Sequence, residues 1–201
     1  MTISMSNSVS AGLAVTAHNN TTTCTATFDN VSLNQCPLLA AISNRALVAG
    51  STLVLTNSAS DADLPAQALT YTLLSAPAGA AVSTNSGVFA WRPLIAQSPA
   101  TQTVSIAVSD NGTPAMSATQ SFMVTVARPA SPTLRFASAS NGQPGFSISG
   151  DSGPDYTIQA SMDLVSWLPV FTTNPPALPF LWTDADTNRF PARFYRALLG
   201  P

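Results

Sequence analysis

The chain contains no lysine and no glutamate: its seven cationic side chains are all arginine and its nine acidic ones all aspartate. Lysine and glutamate are strong helix formers, so their absence removes the residues that usually clothe an exposed helix. With one histidine, His18, and no glutamate, general acid–base chemistry has few candidate groups. A paired-carboxylate hydrolase needs two acids with separated pKa values in one cleft, whereas the aspartates here stand mostly in turn-like contexts. Net charge is −2, and the arginines gather only near the C-terminus, at 189, 193 and 196. A nucleic-acid binder needs a cationic footprint to displace counterions, so that class is set aside. No apolar run approaches the roughly 20 residues of a membrane-spanning helix. Met1 does not lead into a basic segment and a long apolar stretch, so no signal peptide opens the sequence.

What is present points to strands. Serine and threonine make up about a quarter of the 201 residues, and 16 prolines are scattered among them. Ser, Thr, Val and Pro favour strands and turns, and the expected class is all-β: tandem antiparallel sandwich modules, the first one incomplete. Residues 1–33 read as short strands, "GLAVTAH" and "CTATFDNVSL" around a polar turn, with Ala26, Phe28 and Val31 facing inward. So few strands cannot bury a sheet face, so the segment is expected to end a sandwich whose earlier strands, and a signal peptide, precede Met1. Residues 34–43 read as a linker. From 44 to 128, strands are legible at "STLVLT", "LTYTLL", "GAAVS", "GVFAWRP", "TVSIAVSD" and "TQSFMVTVA". Val104, Ile106 and Val108 alternate with polar residues, as do Phe122, Val124 and Val126, which predicts a half-buried hairpin; Phe89 and Trp91 are expected core aromatics. A second linker, 129–132, leads to a third unit, 133–201, with strands near "LRFAS", "GFSISG", "YTIQAS", "WLPVFT", "FLWTD" and "RFYRALL".

Three segments resemble known families. "GLAVTAHNNTTTCTATFDNVSL" resembles the terminal strands of laminin-G-like or concanavalin-like jelly rolls. "SASDADLPAQALTYTLLSAP", "SGVFAWRP" and "IAVSDNGTPAMSATQSFMVTV", in that order, resemble the cadherin-like and immunoglobulin-like (dystroglycan-type) repeats of multidomain secreted bacterial proteins. "DYTIQASMDLVSWLPVFTTN" and "PFLWTDADTNRFPARFYRALLGP" resemble a small C-terminal module that closes many large secreted bacterial proteins. The cadherin resemblance implies a calcium site at one pole of the sandwich, formed by Asp61 and Asp63 of "DAD" and by Asp110 of "AVSDNG". Carboxylate oxygens suit calcium, which takes six to eight such ligands. The family's other acidic element is absent from "VFAWRPLIAQ", and its Asp-x-Asn-Asp-Asn-type linker is absent too: the segment before the repeat carries Asn34 and Asn44 but no aspartate. The expected site is therefore weak and wet, with Asp29 a further candidate ligand.

Other motifs carry less. "GDSGP" at 150–154, with His18 upstream, invites a trypsin-like protease reading with Ser152 as nucleophile. In that family the serine sits in Gly-Asp-Ser-Gly-Gly-Pro, where backbone N–H groups around the serine form the oxyanion hole. Here Gly153 leads directly to Pro154, so Ser152 is read as a turn residue. "TDADTN" places Asp184, Asp186 and Asn188 at alternate positions without the glycine and glutamate of an EF-type loop, and reads as a turn. Cys24 and Cys36 either form a bridge, adding about 3 kcal/mol by loop entropy, or remain free thiols. The expected function is a non-enzymatic extracellular structural or adhesion module with a protein or glycan partner. The alternative is a carbohydrate-binding accessory of a polysaccharide-degrading enzyme, which requires Trp167, Trp182 or Tyr156 to lie exposed on one flat face.

Overall fold

The computed structural model describes residues 34–140, 143–186 and 192–200. These belong to one compact unit, within which the strands sort into two lobes, 34–127 and 133–200. The inward calls at Ala26, Phe28 and Val31 lie outside the described residues.

The first lobe is organised around its longest hairpin, β8 (Ala100–Ser109) and β9 (Ser117–Ala127), paired in unbroken register from Ala100↔Val126 to Ser109↔Ser117. Period-2 alternation turns one face of this ladder inward, and Val104, Ile106, Val108, Phe122, Val124 and Val126 are all buried. β5 (Thr70–Ser75) pairs with β8, and β2 (Arg45–Val48) runs parallel to β9, giving the sheet order β2-β9-β8-β5. The facing layer is β3 (Leu53–Thr56), β7 (Val88–Trp91) and β6 (Ala81–Val82) in the order β3-β7-β6. Phe89 and Trp91 of β7 insert into the core, where the Phe89 and Phe122 rings meet edge to face at 5.7 Å.

Residues 34–43, expected as a linker, are instead part of this lobe. β1 (Leu38–Leu39) pairs with β4 (Ala59–Ser60), and Leu39 is buried in the core. The chain then joins the four-stranded sheet as β2. Asn44 sets that entry, its side-chain oxygen accepting the Met123 backbone N–H at 2.8 Å. Two-residue strands lack the periodicity that makes a strand legible.

The second lobe stacks two three-stranded antiparallel sheets. One has β10 (Thr133–Ser140), β11 (Gln143–Ser149) and β14 (Phe180–Thr183); the other has β13 (Leu168–Thr173), β12 (Asp155–Ser161) and β15 (Phe194–Gly200). Its fully buried core is only Ile148, Tyr156 and Ile158, against which Phe146, Phe180, Trp182 and Tyr195 pack. Phe146 stacks on Trp182 at 6.0 Å and meets Tyr195 at 4.7 Å, so aromatic area replaces aliphatic depth.

Truncating the fully buried Phe89 to alanine should destabilise the chain by about 3–5 kcal/mol in urea unfolding. Met123→Ala, on the exposed face of β9, should change stability by less than about 0.5 kcal/mol.

Candidate functional site

Asp61, Asp63 and Asp110 lie along one chain of hydrogen bonds at the end of the first lobe: Asp61 to Asp63, and Asp63 through Gln67 and Asn34 to Asp110. Asp61 and Asp63 follow β4, and Asp61 accepts the Asp63 backbone N–H at 2.9 Å, a local turn that aspartate favours. Asp110 ends β8. Its Oδ1 accepts the N–H groups of Gly112 (3.0 Å) and Met116 (2.9 Å), while its own N–H donates to the Met116 carbonyl at 3.0 Å. The carboxylate thereby closes the turn between β8 and β9.

Amide groups join the acids. Asn34 donates through Nδ2 to both Asp110 oxygens (3.3 and 3.5 Å) and to the Pro114 carbonyl at 2.7 Å. Asp63 accepts the Gln35 backbone N–H at 2.8 Å and the Gln35 side-chain amide at 3.2 Å. Gln67 donates to Asn34 Oδ1 at 2.5 Å and to Asp63 at 3.2 Å. Gly112 lies against this cluster so closely that a Cβ there would collide with the Asn34 side chain. Two oxygens, Asp61 Oδ2 and Gln67 Oε1, are buried with no hydrogen-bond partner. Burying an unpaired acceptor costs about 1–3 kcal/mol.

Among the described residues no group of three or more His, Cys, Asp or Glu side chains stands at metal-ligating spacing. The donor chemistry nevertheless suits a hard cation: carboxylates at 61, 63 and 110 and the amide oxygen of Gln67 are all oxygen ligands. Asn34, Gln35 and Gln67 were not expected here as a set. From sequence, Asn34 stands out only as one of two asparagines in a segment that lacks the resembled family's acidic linker. Burial raises the Asp110 carboxyl, but donation from Met116, Gly112 and Asn34 outweighs it and leaves its pKa below the ordinary value.

The remaining candidates are accounted for differently. Asp184 is buried and accepts from Arg193 (2.5 Å), from the Tyr195 hydroxyl (2.6 Å) and from the Asp186 N–H (2.9 Å). Burial and the Asp184 hydrogen bond together push the Tyr195 hydroxyl well above the usual phenol range. Asp184 is thus a structural anchor inside a turn. Ser152 is exposed, and its carbonyl accepts the Ser51 hydroxyl at 3.3 Å. Of the three aromatics named for a sugar platform, Tyr156 is fully buried, Trp182 packs on Phe146 and Phe171, and the Arg196 guanidinium lies over the Trp167 ring at 4.2 Å. Cys36 is exposed with a free thiol, its sulfur 3.8 Å from that of Met116. His18, Cys24, Asp29 and Asn188 lie outside the described residues.

No family model and no curated protein matches the chain. Among solved structures it is similar to protocadherin gamma B2 extracellular cadherin domains 3–6, at 21% identity and a TM-score of 0.40 over 64% of this chain. Mouse cadherin-23 EC22–24 gives 16% identity and a TM-score of 0.42, covering 73% of this chain and 56% of that one. A nucleoside hydrolase-related hypothetical protein from Saccharophagus degradans, associated with carbohydrate metabolism, gives 20% identity and a TM-score of 0.35, covering 46% of this chain and 26% of that one. The chain spans 40% of the length of the protocadherin fragment. Likenesses at this level leave the functional reading to the site itself.

Asp63→Ala would strand the Gln35 and Gln67 donors that now end on its carboxylate. The expected loss is about 1–3 kcal/mol in denaturant unfolding. The Asp110 carboxyl titrates lower folded than unfolded, so its contribution is complete above the unfolded pKa of about 4 and is lost as pH falls through the lower folded value. Stability measured against pH should therefore fall below about pH 4, with a shallower fall in Asp110→Asn.

Proposed function

We propose that the chain is a non-enzymatic structural and adhesion module of an extracellular protein, whose acidic pole anchors Asn34 and Gln35 to the first lobe. The observation that carries this reading is the double grip on Asn34 and Gln35. Asp110 holds the first and Asp63 the second, through hydrogen bonds that span 76 and 28 positions of sequence. Two successive residues held by separate parts of the lobe anchor the start of this unit to its sandwich, as suits a structural module. The partner is a protein or glycan met outside the cell, on surfaces away from this pole.

Calcium completes the pole in this proposal. Asp61, Asp63, Asp110 and Gln67 would hold it, and the buried, unpaired Asp61 Oδ2 and Gln67 Oε1 support that assignment. The cation would supply the positive charge that the three carboxylates lack, since their present partners are neutral amides. Its binding would add to the grip on Asn34 and Gln35.

Thermal unfolding of the full chain in millimolar calcium and in chelator tests the calcium assignment. At 100 times its dissociation constant calcium stabilises by about 2.7 kcal/mol, a rise of roughly 5–10 °C for a chain of this size. The rise should disappear in Asp61→Asn/Asp63→Asn. Melts of the unaltered chain that superimpose would remove calcium from the proposal and leave a pole held by amides alone.

A further inference from the structure

The motif "GDSGP" does its work at the opposite end of the first lobe. The turn between β11 and β12 carries Asp151, Ser152, Gly153 and Pro154, and it rests against Gly50 and Ser51 in the turn that follows β2. Gly50 has φ +88° and Gly153 φ +113°, the left-handed region that favours glycine. A Cβ on Gly50 would stand 2.7 Å from Pro154 Cα, and one on Gly153 would collide with the Ser51 hydroxyl. Two glycines from separate lobes thus let two backbones touch.

Arg92, just after β7, fastens this contact. Its Nε donates to the Gly50 carbonyl within its own lobe at 2.6 Å. The other two nitrogens reach across: Nη2 to the Gly153 carbonyl at 3.1 Å and to Asp155 at 2.7 Å, and Nη1 to the second Asp155 oxygen at 3.4 Å. Asn174, from beyond β13, buttresses the same acceptors, at 2.7 Å from the Gly153 carbonyl and 2.8 Å from Asp155. A planar guanidinium can satisfy these diverging acceptors at once, whereas a lysine ammonium cannot span them. The Arg92 hydrogen bond is the main reason the Asp155 carboxyl sits below its usual pKa, against the opposing effect of burial.

Two further attachments come from other stretches of chain. Asp151 accepts the Ala130 N–H at 2.7 Å, pinning the short connection between the lobes, and the Ser51 hydroxyl donates to the Ser152 carbonyl at 3.3 Å. That connection carries prolines at 129 and 132, and Pro129 is buried. Proline-rich linkers of this kind are stiff.

We propose that the end of the first lobe formed by Gly50, Ser51 and Arg92 is a docking surface for the Gly-Asp-Ser-Gly-Pro turn of the terminal module. The docked lobes move in solution as one rigid body, with Arg92 the positioning residue. The joint is independent of calcium, because no group of the acidic pole takes part. Its failure and the failure of the calcium assignment are therefore separately visible.

Backbone 15N relaxation of the full chain reads the tumbling time of each lobe. The unaltered protein should give one common value, with or without chelator. Arg92→Lys and Asp155→Asn should lose that equality, the terminal lobe tumbling independently while both lobes keep dispersed core resonances. Ser152→Ala should keep it, since only the Ser152 carbonyl takes part. Gly153→Ala provides a second disruption that leaves the charges intact. Unequal tumbling in the unaltered chain would overturn the rigid joint. A common tumbling time retained in both Arg92→Lys and Asp155→Asn would overturn the role of Arg92.

Discussion

The burial of one face of the β8–β9 hairpin is the constraint on which the rest of this structure depends. Six branched or aromatic side chains at alternate positions leave water together, each contributing at about 25 cal/mol per Å² of apolar surface buried. The hairpin also sets distances. Ten residues of extended β8 span roughly 33 Å, so the turn that begins at Asp110 and the end of β9 at Ala127 lie at opposite poles. Everything chemically distinctive in the first lobe is at one pole or the other.

The two poles solve the same problem with opposite charges. At the entry pole, carboxylates take their hydrogen bonds from neutral amides and from backbone N–H groups, and two buried oxygens stay unpaired. At the exit pole, a single guanidinium meets one carboxylate and two carbonyls. At the exit pole the carboxylate has a cationic partner; at the entry pole the hydrogen bonds to the carboxylates come from amide groups. That contrast follows from composition. With no lysine or glutamate and only seven arginines, cationic partners are scarce, and amides stand in where none is at hand.

The second lobe shows how a thin sandwich holds together. Three fully buried side chains are a small core, and the aromatic cluster around Phe146, Trp182 and Tyr195 extends it to the edge of the sheets. The same packing engages both tryptophans of this lobe, Trp182 with Phe146 and Phe171 and Trp167 with the Arg196 guanidinium. Asp184, one of three alternating polar residues, turns inward to Arg193 and Tyr195 and ties the last strand to the loop before it.

Local pattern was enough for the hairpin, the aromatics of β7 and the all-β class, because alternation is a property of neighbours and burial follows from it. The Asp61, Asp63 and Asp110 grouping was legible only through a family resemblance. Its amide partners were not, since Asn34 stands 76 positions from Asp110 and neutral side chains carry no spacing signal. Two-residue β1 and β4 were invisible for lack of a period. "GDSGP" could be read as a turn, because glycine and proline fix backbone angles locally. That this turn is a joint was decided by Arg92, more than 60 positions earlier. The sequence by itself determined where the chain extends, where it turns and which faces are apolar. Only the tertiary structure decided which polar groups meet, because hydrogen bonds between distant residues depend on how strands are ordered in the sheets.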